Sequence, residues 1–426
     1  MTLTDARPDP PPPSPPVPEP VVAVRSGGPL RLALLVGVVV LIGLRGGLEW
    51  LAIIGALVVM IFLHELGHFV TAKWSGMKVT QFFLGFGPRV WSVQRGETEY
   101  GIKAIPAGAY VKVIGMYDVD QVESGEEART YRQKKYYQRV IMAAAGSTTH
   151  FLLALLLIFG VLVGVGRQSD AWEIAAVSEG SAAAAAGLAV GDRLLSVDGV
   201  SVIAWDAMPE VVGPRQNDTV PIVFERAGST RTVTATIGVN PKNSDMGHLG
   251  VGPSFPYERV GVLEAIPAAG REFGAVIVAS VGGMAKLFTP SGLGSFADQV
   301  AEGKPSTKSP PSEEQITENN ENRVISIFGA ARLGVDLEGV GPTLKFIALL
   351  NIFIGVFNLV PLLPFDGGHI AIATYERLQE LRKGNGRRHF TNVSRLMPLT
   401  YAVVFLLLAL GMSSIYLDVV NPVQLP

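Results

Sequence analysis

The sequence predicts a polytopic α-helical membrane protein that carries a β-rich insertion between its second and third spans. The mean hydropathy is +0.34 over 426 residues, and four apolar segments are each long enough to cross a bilayer. Charged residues make up 17% of the chain, below the roughly one quarter that soluble globular proteins usually contain. The formal net charge of −2 argues against nucleic acid as a partner. Because the chain has no cysteine, a metal site would have to use histidine and carboxylate ligands.

The region before the core spans has two parts. Residues 1–28 are rich in proline and predict a disordered tail, partly in the polyproline II conformation. Within residues 29–50, an apolar run at 32–44 lies between Arg31 and Arg45. As a helix this run would reach only about 20 Å, so it is either a short span or an interfacial helix. The core spans that follow are predicted at 51–72, 140–166, 343–363 and 396–417.

The loops between these spans differ in basic content, which predicts their orientation. Eleven Lys and Arg residues lie in 73–139 and six in 377–395. Cytoplasmic loops carry the excess of positive charge, so both should face the cytoplasm. Residues 167–340 would then lie outside, and the chain would be a multi-pass protein of the cytoplasmic membrane.

The cytoplasmic loop should contain β-structure. Two β-leaning runs flank Gly96-Glu97, which predicts a membrane-associated hairpin. The preceding Phe82, Phe83, Gly85, Phe86 and Gly87 suggest a loop that dips into the interface.

The outer segment is predicted to hold a small domain and a connection. Gly187-Leu188, Gly191-Asp192 and Asp198-Gly199 stand at turns between β-rich runs, and residues 169–255 resemble a PDZ domain of the α+β class. Residues 256–340 follow, with an amphipathic or interfacial helix at 257–290 and a flexible linker at 291–323.

The segment "VVMIFLHELGHFV" contains the pattern H-E-x-x-H inside the first core span. On a helix, His64 and His68 share one face, so both imidazoles can reach one ion. Glu65 lies about 100° around the helix, close enough to act on a metal-bound water. The alternative is that these polar groups only bond neighbouring helices, although ionisable groups at bilayer depth are usually functional.

A third ligand should come from another span, and "NLVPLLPFDGGHI" offers Asp366 at the end of the third one. Pro361 and Pro364 should break the helix before it, and Gly367-Gly368 should free the backbone after it. The alternative interpretation is an Asp-Gly-Gly turn that only closes a helix.

These motifs together resemble the site-2 protease family of intramembrane zinc metalloproteases, over about residues 50–425. The phrases "GFGPRVWS", "RGETEYGIKAIPAGAYVKVIGM" and "NLVPLLPFDGGHIAIA" resemble its actinobacterial members. The resemblance implies two membrane halves, 51–166 and 341–426, around the outer domain. It implies Zn²⁺ as cofactor with His64, His68 and Asp366 as ligands, Glu65 as general base, and a site or substrate role for Asn358.

One motif departs from the family. Members commonly carry G-P-x-x-N at the start of the second core span, where this chain has "GSTTH" from Gly146 to His150. His150 could contact a substrate carbonyl as the family Asn does, contact the metal, or simply be tolerated in a wet cavity. Gly146 and His150 are therefore candidate substrate-binding residues.

The resemblance also implies the substrate: a single-span regulator such as an anti-sigma factor, already shortened outside by another protease. Cleavage near the cytoplasmic leaflet would release a cytoplasmic fragment. The PDZ-like domain would exclude bulky ectodomains, or contact the new end or an adaptor. The alternatives are an inactive membrane scaffold, which predicts a lost ligand or base, and a proton or metal transporter, which the absence of inverted hydropathy repeats disfavours.

Overall fold

A computed structural model describes residues 29–116, 122–123, 125–169, 171–240, 243–302, 324–337, 339–384 and 388–420. The predicted tail at 1–28 and the linker over 303–323 lie outside the described residues. The α-helices are α1 (Pro29–Trp74), α2 (Tyr136–Gly164), α3 (Ala182–Ala185), α4 (Ala207–Val212), α5 (Val262–Leu287), α6 (Pro290–Glu302), α7 (Ile327–Asp336), α8 (Val340–Asn358), α9 (Asp366–Lys383) and α10 (Met397–Val420).

The strands are β1 (Val79–Arg95), β2 (Thr98–Val113), β3 (Arg167–Gln168), β4 (Glu173–Val177), β5 (Arg193–Val197), β6 (Val200–Ser201), β7 (Thr219–Arg226), β8 (Ser229–Thr236), β9 (Gly238–Asn240), β10 (Asn243–His248), β11 (Val251–Ser254) and β12 (Tyr257–Glu258). Short 3₁₀ turns occupy Glu127–Arg129, Tyr131–Gln133, Gly213–Arg215 and Val393–Leu396.

Four helices of the described chain are long and apolar enough to cross a membrane, and they coincide with the four predicted core spans. They cover Gly43–Trp74, Tyr136–Gly164, Val340–Asn358 and Val393–Val420. The bent pair α5 and α6 would make a fifth if counted as one span. The chain is therefore a multi-pass membrane protein. The run at 32–44 belongs to α1, which breaks at Gly47 with φ of 79°.

The third span ends earlier than the sequence suggests. Helix α8 stops at Asn358, and a turn segment leads to α9, whose first residue is Asp366. Pro361 and Pro364 lie in that segment, and proline cannot donate the backbone hydrogen bond that a continuing helix needs. The prediction that Asp366 ends the third span is wrong, because Asp366 begins a separate helix.

The hairpin about Gly96 is present, and it is larger than predicted. Arg95 pairs with Thr98 across the turn, and residues 79–84 of β1 pair on one side with 109–113 and on the other with 99–102. Residues 79–84 are therefore central, and Phe83 is only 1% exposed. The loop predicted over Phe82 to Gly87 is wrong, because all of these residues lie in β1, and Phe82 and Phe83 lie in its central part.

The hairpin turn is tied to the end of α1 by charge. Glu97 forms ion pairs with Lys73, in the last turn of α1, and with Arg129 at 2.7 Å. Burial raises the pKa of the Glu97 carboxyl, but hydrogen bonds from these two cations lower it by more, so the pKa lies below its usual value. The sheet is thereby held beside the helix that carries the H-E-x-x-H pattern.

Residues 171–255 form a β domain with its own hydrophobic core. Its main sheet has the order β6-β5-β7-β8, and β4 pairs separately with β11. Trp172, Leu194, Ile222 and Phe224 are among its buried residues. The indole N–H of Trp172 donates to the carbonyl of Val202 at 2.8 Å. The domain is therefore held by a core separate from the membrane helices.

A buried ion pair in the β domain should make its stability depend on pH. Asp192 is fully buried, and it accepts hydrogen bonds from Arg226 at 2.5 and 2.6 Å and from the Ala189 N–H at 2.8 Å. Burial raises the pKa of this carboxyl, but these hydrogen bonds lower it by more, so the pKa lies below its usual value. The stabilisation is therefore complete above the unfolded pKa of about 3.9 and is lost as pH falls through the lower folded pKa.

We expect Asp192→Asn to lower the melting temperature of the full-length protein at pH 7. The gap between wild type and variant should narrow as pH falls below about 4. Thermal unfolding across pH measures this, with the exposed Asp218→Asn as control. A gap that stays constant with pH would show that the Asp192 charge contributes nothing.

Helix α5 lies within the helix predicted at 257–290 and packs on the membrane-spanning helices, whereas Tyr257 and Glu258 form strand β12. Ala265 and Ala269 are buried against residues of α2 and α8, and Glu272 pairs with Lys345 of α8 at 2.9 Å. The linker prediction is wrong at its start, because α6 runs from Pro290 to Glu302 and bends away from α5 by 77°. Pro290 can open α6, since the first helical position needs no N–H partner.

Candidate metal centre

The site begins where α1 and α2 come unusually close. A Cβ on Gly67 of α1 would lie 2.5 Å from Thr149 Oγ1 and 2.9 Å from the Ala145 carbonyl oxygen. A Cβ on Gly146 of α2 would lie 2.5 Å from His68 Nε2 and 2.6 Å from His64 Nδ1. The two glycines let the helix backbones approach until the histidine rings of α1 lie directly against α2.

Helix α9 supplies the third side chain. A Cβ on Gly367 would collide with the Leu359 carbonyl oxygen, and one on Gly368 would lie 2.6 Å from the Leu363 nitrogen. These glycines therefore allow close packing of the start of α9 on the preceding turn. The expectation that they free the backbone is wrong, since both are buried inside the helix. The alternative of an Asp-Gly-Gly turn is also wrong, because Asp366 opens α9.

Three ligand atoms converge from these helices. His64 Nε2 lies 3.1 Å from His68 Nε2, and Asp366 Oδ2 lies 3.4 Å and 3.3 Å from these two nitrogens. Within the described residues, they are the group of His, Asp and Glu side chains that could hold a metal ion. The sequence placed the two histidines on one helix face, and the folded chain brings Asp366 to them.

The donor set fits zinc. Tetrahedral zinc with bond lengths of about 2.0–2.1 Å has ligand atoms about 3.3 Å apart. The observed separations of 3.1, 3.3 and 3.4 Å agree with that value. The buried Asp366 Oδ2 has no hydrogen-bond partner among the described residues, as an oxygen that faces an ion would. Two imidazoles and one carboxylate leave a fourth position open, which is the usual catalytic arrangement.

A stripe of residues along α2 organises the two histidines. Met142, Gly146 and His150 recur every fourth residue and so share one helix face. The His68 Nδ1–H donates to the Met142 carbonyl at 2.7 Å, which leaves Nε2 of His68 available to an ion. The His150 ring lies 5.0 Å from the His64 ring. This face of α2 therefore holds the His64 and His68 rings in position on the side opposite α1.

Gly146 offers a direct test of the close approach. We expect Gly146→Ala to weaken zinc binding and to cost about 1–3 kcal/mol of stability, because its methyl group would push both histidine rings. Gly160→Ala is the matched control on the same helix, since a Cβ there meets nothing within 4 Å. Bound zinc and melting temperature measure the effects. Equal zinc content in both variants would contradict the role assigned to Gly146.

Glu65 lies on α1 beside the sheet. It is partly buried, and the backbone of Val111 in β2 contacts its carboxyl group. Residues 109–113 pair with β1 on one side, so their other side faces α1 and Glu65. The candidate base therefore lies between the three-ligand cluster and an edge of the β-sheet.

His150 is held by a partner that the sequence reasoning missed. Its Nδ1 lies 2.8 Å from Asn351 Oδ1, and the Asn351 amide nitrogen donates to the Ile347 carbonyl at 2.8 Å. Since the amide group must donate to Ile347, its oxygen is the acceptor, and Nδ1 of His150 carries the proton. A lone asparagine inside the apolar run "FIALLNIFIGVF" was the available signal, because buried amides in spans need partners.

Asn358 is the last residue of α8 and is only half-buried. Its implied role at the site or with substrate stays a prediction.

A buried ion pair that the sequence reasoning also missed holds α9 against α2. Arg139 donates to Glu376 at 2.6 Å, and the other Glu376 oxygen accepts from the Thr391 N–H at 2.6 Å. The Arg139 guanidinium also lies over the Tyr131 ring, 4.9 Å from its centroid. Because Asp366 and Glu376 share α9, the pair also restrains the position of Asp366. A buried pair of this kind is costly to break, at about 3–5 kcal/mol.

Membrane-spanning helices that carry a His-His-Asp cluster able to hold a metal ion fit an intramembrane metalloprotease. The model of Peptidase family M50 matches residues 52–408. The chain therefore belongs to Peptidase family M50, the site-2 proteases, and it is a zinc metalloendopeptidase. The resemblance drawn from the motifs is confirmed.

Named relatives cover nearly the whole chain. Zinc metalloprotease Rip1 of Mycobacterium tuberculosis is 30% identical over 407 residues, covering 87% of this chain and 96% of the relative. Rip1 of Mycolicibacterium smegmatis is 31% identical over 411 residues, covering 87% and 97%. A putative zinc metalloprotease of Agrobacterium fabrum is 29% identical over 369 residues, covering 81% and 91%.

One solved structure is similar to part of the chain. The PDZ domain of an SdrC-like protein from Listeria monocytogenes covers 20% of this chain and 90% of its own, with 17% identity and a TM-score of 0.18. Such a score supports no conclusion, and the PDZ resemblance of residues 169–255 stays a prediction from sequence.

Proposed function

We propose that this chain cuts a single-span membrane regulator, such as an anti-sigma factor, within or next to its transmembrane helix. A second protease first removes the outer part of the substrate, and the cut made here releases a cytoplasmic fragment. The observation that carries the proposal is the convergence of His64 Nε2, His68 Nε2 and Asp366 Oδ2 inside a bundle of membrane-spanning helices.

In this proposal His64, His68 and Asp366 hold the zinc ion. When bound, zinc activates a water molecule and polarises the carbonyl of the scissile bond. Glu65 accepts the proton of the attacking water and delivers it to the leaving nitrogen. The Met142 carbonyl keeps His68 in one tautomer, and the Arg139–Glu376 pair keeps α9 in place. In this proposal some of these residues bind the metal, others orient the metal-binding side chains, and Glu65 transfers a proton.

The substrate segment has to unwind before it can be cut. A transmembrane helix hides its carbonyls in its own hydrogen bonds, and unpaired backbone groups are costly in lipid. The hairpin can offset that cost, because an extended substrate can add as a strand to a sheet edge. The edge formed by residues 109–113 lies beside Glu65, so a substrate strand added there would lie next to the proposed base. His150, or Gly146 next to the histidines, would contact the bound strand.

The β domain controls which substrates enter. The basic loops 73–139 and 377–395 favour a cytoplasmic position, so the β domain lies outside and the active site lies toward the cytoplasmic side. There it excludes substrates with bulky ectodomains, or binds the end left by the first protease or an adaptor.

A pair of substrates tests this proposal. The pair shares one transmembrane helix and a cytoplasmic reporter, and only one member keeps a folded ectodomain. We expect the protein to cut the shortened substrate and release its reporter into the cytoplasmic fraction, and to leave the other intact. Both substrates being cut equally would refute the exclusion role, and neither being cut would refute the proposed substrate class.

A further inference from the structure

A basic cleft lies where α2 begins, on the side predicted to face the cytoplasm. Its volume is about 340 Å³. One wall comes from residues 132–139, the other from α9 and from residues 388–390. The Tyr136 hydroxyl reaches Thr374 Oγ1 across it at 3.3 Å. The cleft therefore joins the helix that supports the histidines to the helix that begins with Asp366.

The cleft has more positive than negative charge. Six Lys or Arg side chains line it, against the carboxylates Glu376 and Glu380. Both carboxylates are already used, since Glu376 pairs with Arg139 and Glu380 pairs with Arg377. The excess is four positive charges, one of which, Arg132, pairs with Glu127 outside the cleft. Such an excess of positive charge favours the binding of an anion in the cleft.

Three cations that line the cleft have no carboxylate partner among the described residues. Within the described residues, Lys134 and Lys135 form no ion pair, and the hydrogen bonds of Arg388 go to the backbone and side-chain oxygens of Gln133. Burial and the nearby Arg129 guanidinium lower the pKa of the Lys134 ammonium. A phosphate group in the cleft would offset this repulsion, and its oxygens accept charge-assisted hydrogen bonds from cations of this kind.

The surroundings indicate a lipid as the source of the phosphate. The cleft opens beside the first residues of a membrane span, where Tyr136 and Tyr137 are 39% and 55% exposed. Exposed tyrosines at a span end are typical of the headgroup region. Basic pockets between helices at this level bind anionic lipid headgroups. A free phosphate ion could pair with the same cations, but its binding would not require a cleft at the level of the lipid headgroups.

We infer that this cleft is a binding site for the phosphate of an anionic phospholipid, held by Lys134, Lys135 and Arg388. The headgroup bridges α2 and α9, and it therefore steadies the two helices that support and complete the three-ligand cluster. The inference goes beyond the proposed proteolysis and does not depend on it.

The test uses the full-length protein in neutral detergent and measures lipid binding without any substrate. Phosphatidylglycerol is titrated, with phosphatidylcholine as the uncharged comparison, and melting temperature and native mass spectrometry record binding. We expect K134Q/K135Q to bind phosphatidylglycerol about 25-fold more weakly, because each basic residue near an anionic headgroup contributes about a factor of five. R388Q alone should lose about a factor of five.

The matched control is R95Q/R382Q, which removes two exposed positive charges from the same predicted side but outside the cleft. It should bind phosphatidylglycerol as wild type does. Equal weakening in the control would overturn the site in favour of general surface charge, and undiminished binding to K134Q/K135Q and R388Q would overturn it outright. An equal thermal shift with millimolar inorganic phosphate would show that a free anion, not a lipid, is the ligand.

Discussion

Glu65→Gln is expected to lower the rate of peptide hydrolysis by about 10³-fold while leaving zinc bound. General base catalysis typically contributes a factor of about 10²–10⁴, and glutamine keeps the shape of the side chain without a group that accepts a proton. The measurement is the rate of cleavage of the shortened single-span substrate by purified protein. Zinc content and melting temperature are measured on the same samples.

The matched control for this variant is Glu49→Gln. It makes the same chemical change on the same helix, at an exposed residue outside the cluster. It should keep the wild-type rate. Residual cleavage by Glu65→Gln near the wild-type rate would show that another group removes the proton. A variant that loses zinc as well would show that Glu65 acts in holding the site.

His68→Ala and Asp366→Ala should each remove zinc binding and proteolysis together. Each deletes one of the three proposed protein ligands, so the loss of zinc affinity should exceed the 10- to 100-fold typical of residues that merely support a ligand. Zinc per chain, measured by elemental analysis after dialysis against a weak chelator, gives the result. The melting temperature should also lose its dependence on added zinc, because ligand binding to the folded state alone is what raises it.

Two controls accompany these variants: His389→Ala and Asp336→Ala, whose side chains lie outside the cluster. Both should retain zinc at the wild-type level. If Asp366→Ala kept full zinc content and lost only activity, Asp366 would be a positioning residue and the third ligand would have to be sought elsewhere.

The described residues also show where local patterns mislead. Phe82 and Phe83, with glycines nearby, suggested an interfacial loop, yet they lie in the central part of β1. Their environment depends on residues 99–102 and 109–113, which close on them from both sides, and no local pattern contains that double pairing. The start of the supposed linker is likewise a helix, α6, because residues 290–302 pack against α5 and α10.

The sequence by itself determined the membrane spans, the hairpin turn at Gly96 and the face shared by His64 and His68. These features follow from hydropathy, turn chemistry and helix periodicity, all of which act over a few neighbouring residues. The family was identified from the resemblance of short motifs to those of known members.

Only the tertiary structure decided how the pieces meet. It brings the Asp366 carboxylate within 3.4 Å of both histidine Nε2 atoms. It also forms the hydrogen bonds from His68 to the Met142 carbonyl and from His150 to Asn351. These contacts join residues far apart in the chain, and they depend on the close packing that Gly67, Gly146 and Gly367 permit. Distances of that kind come from helix packing, which no single segment of the sequence contains.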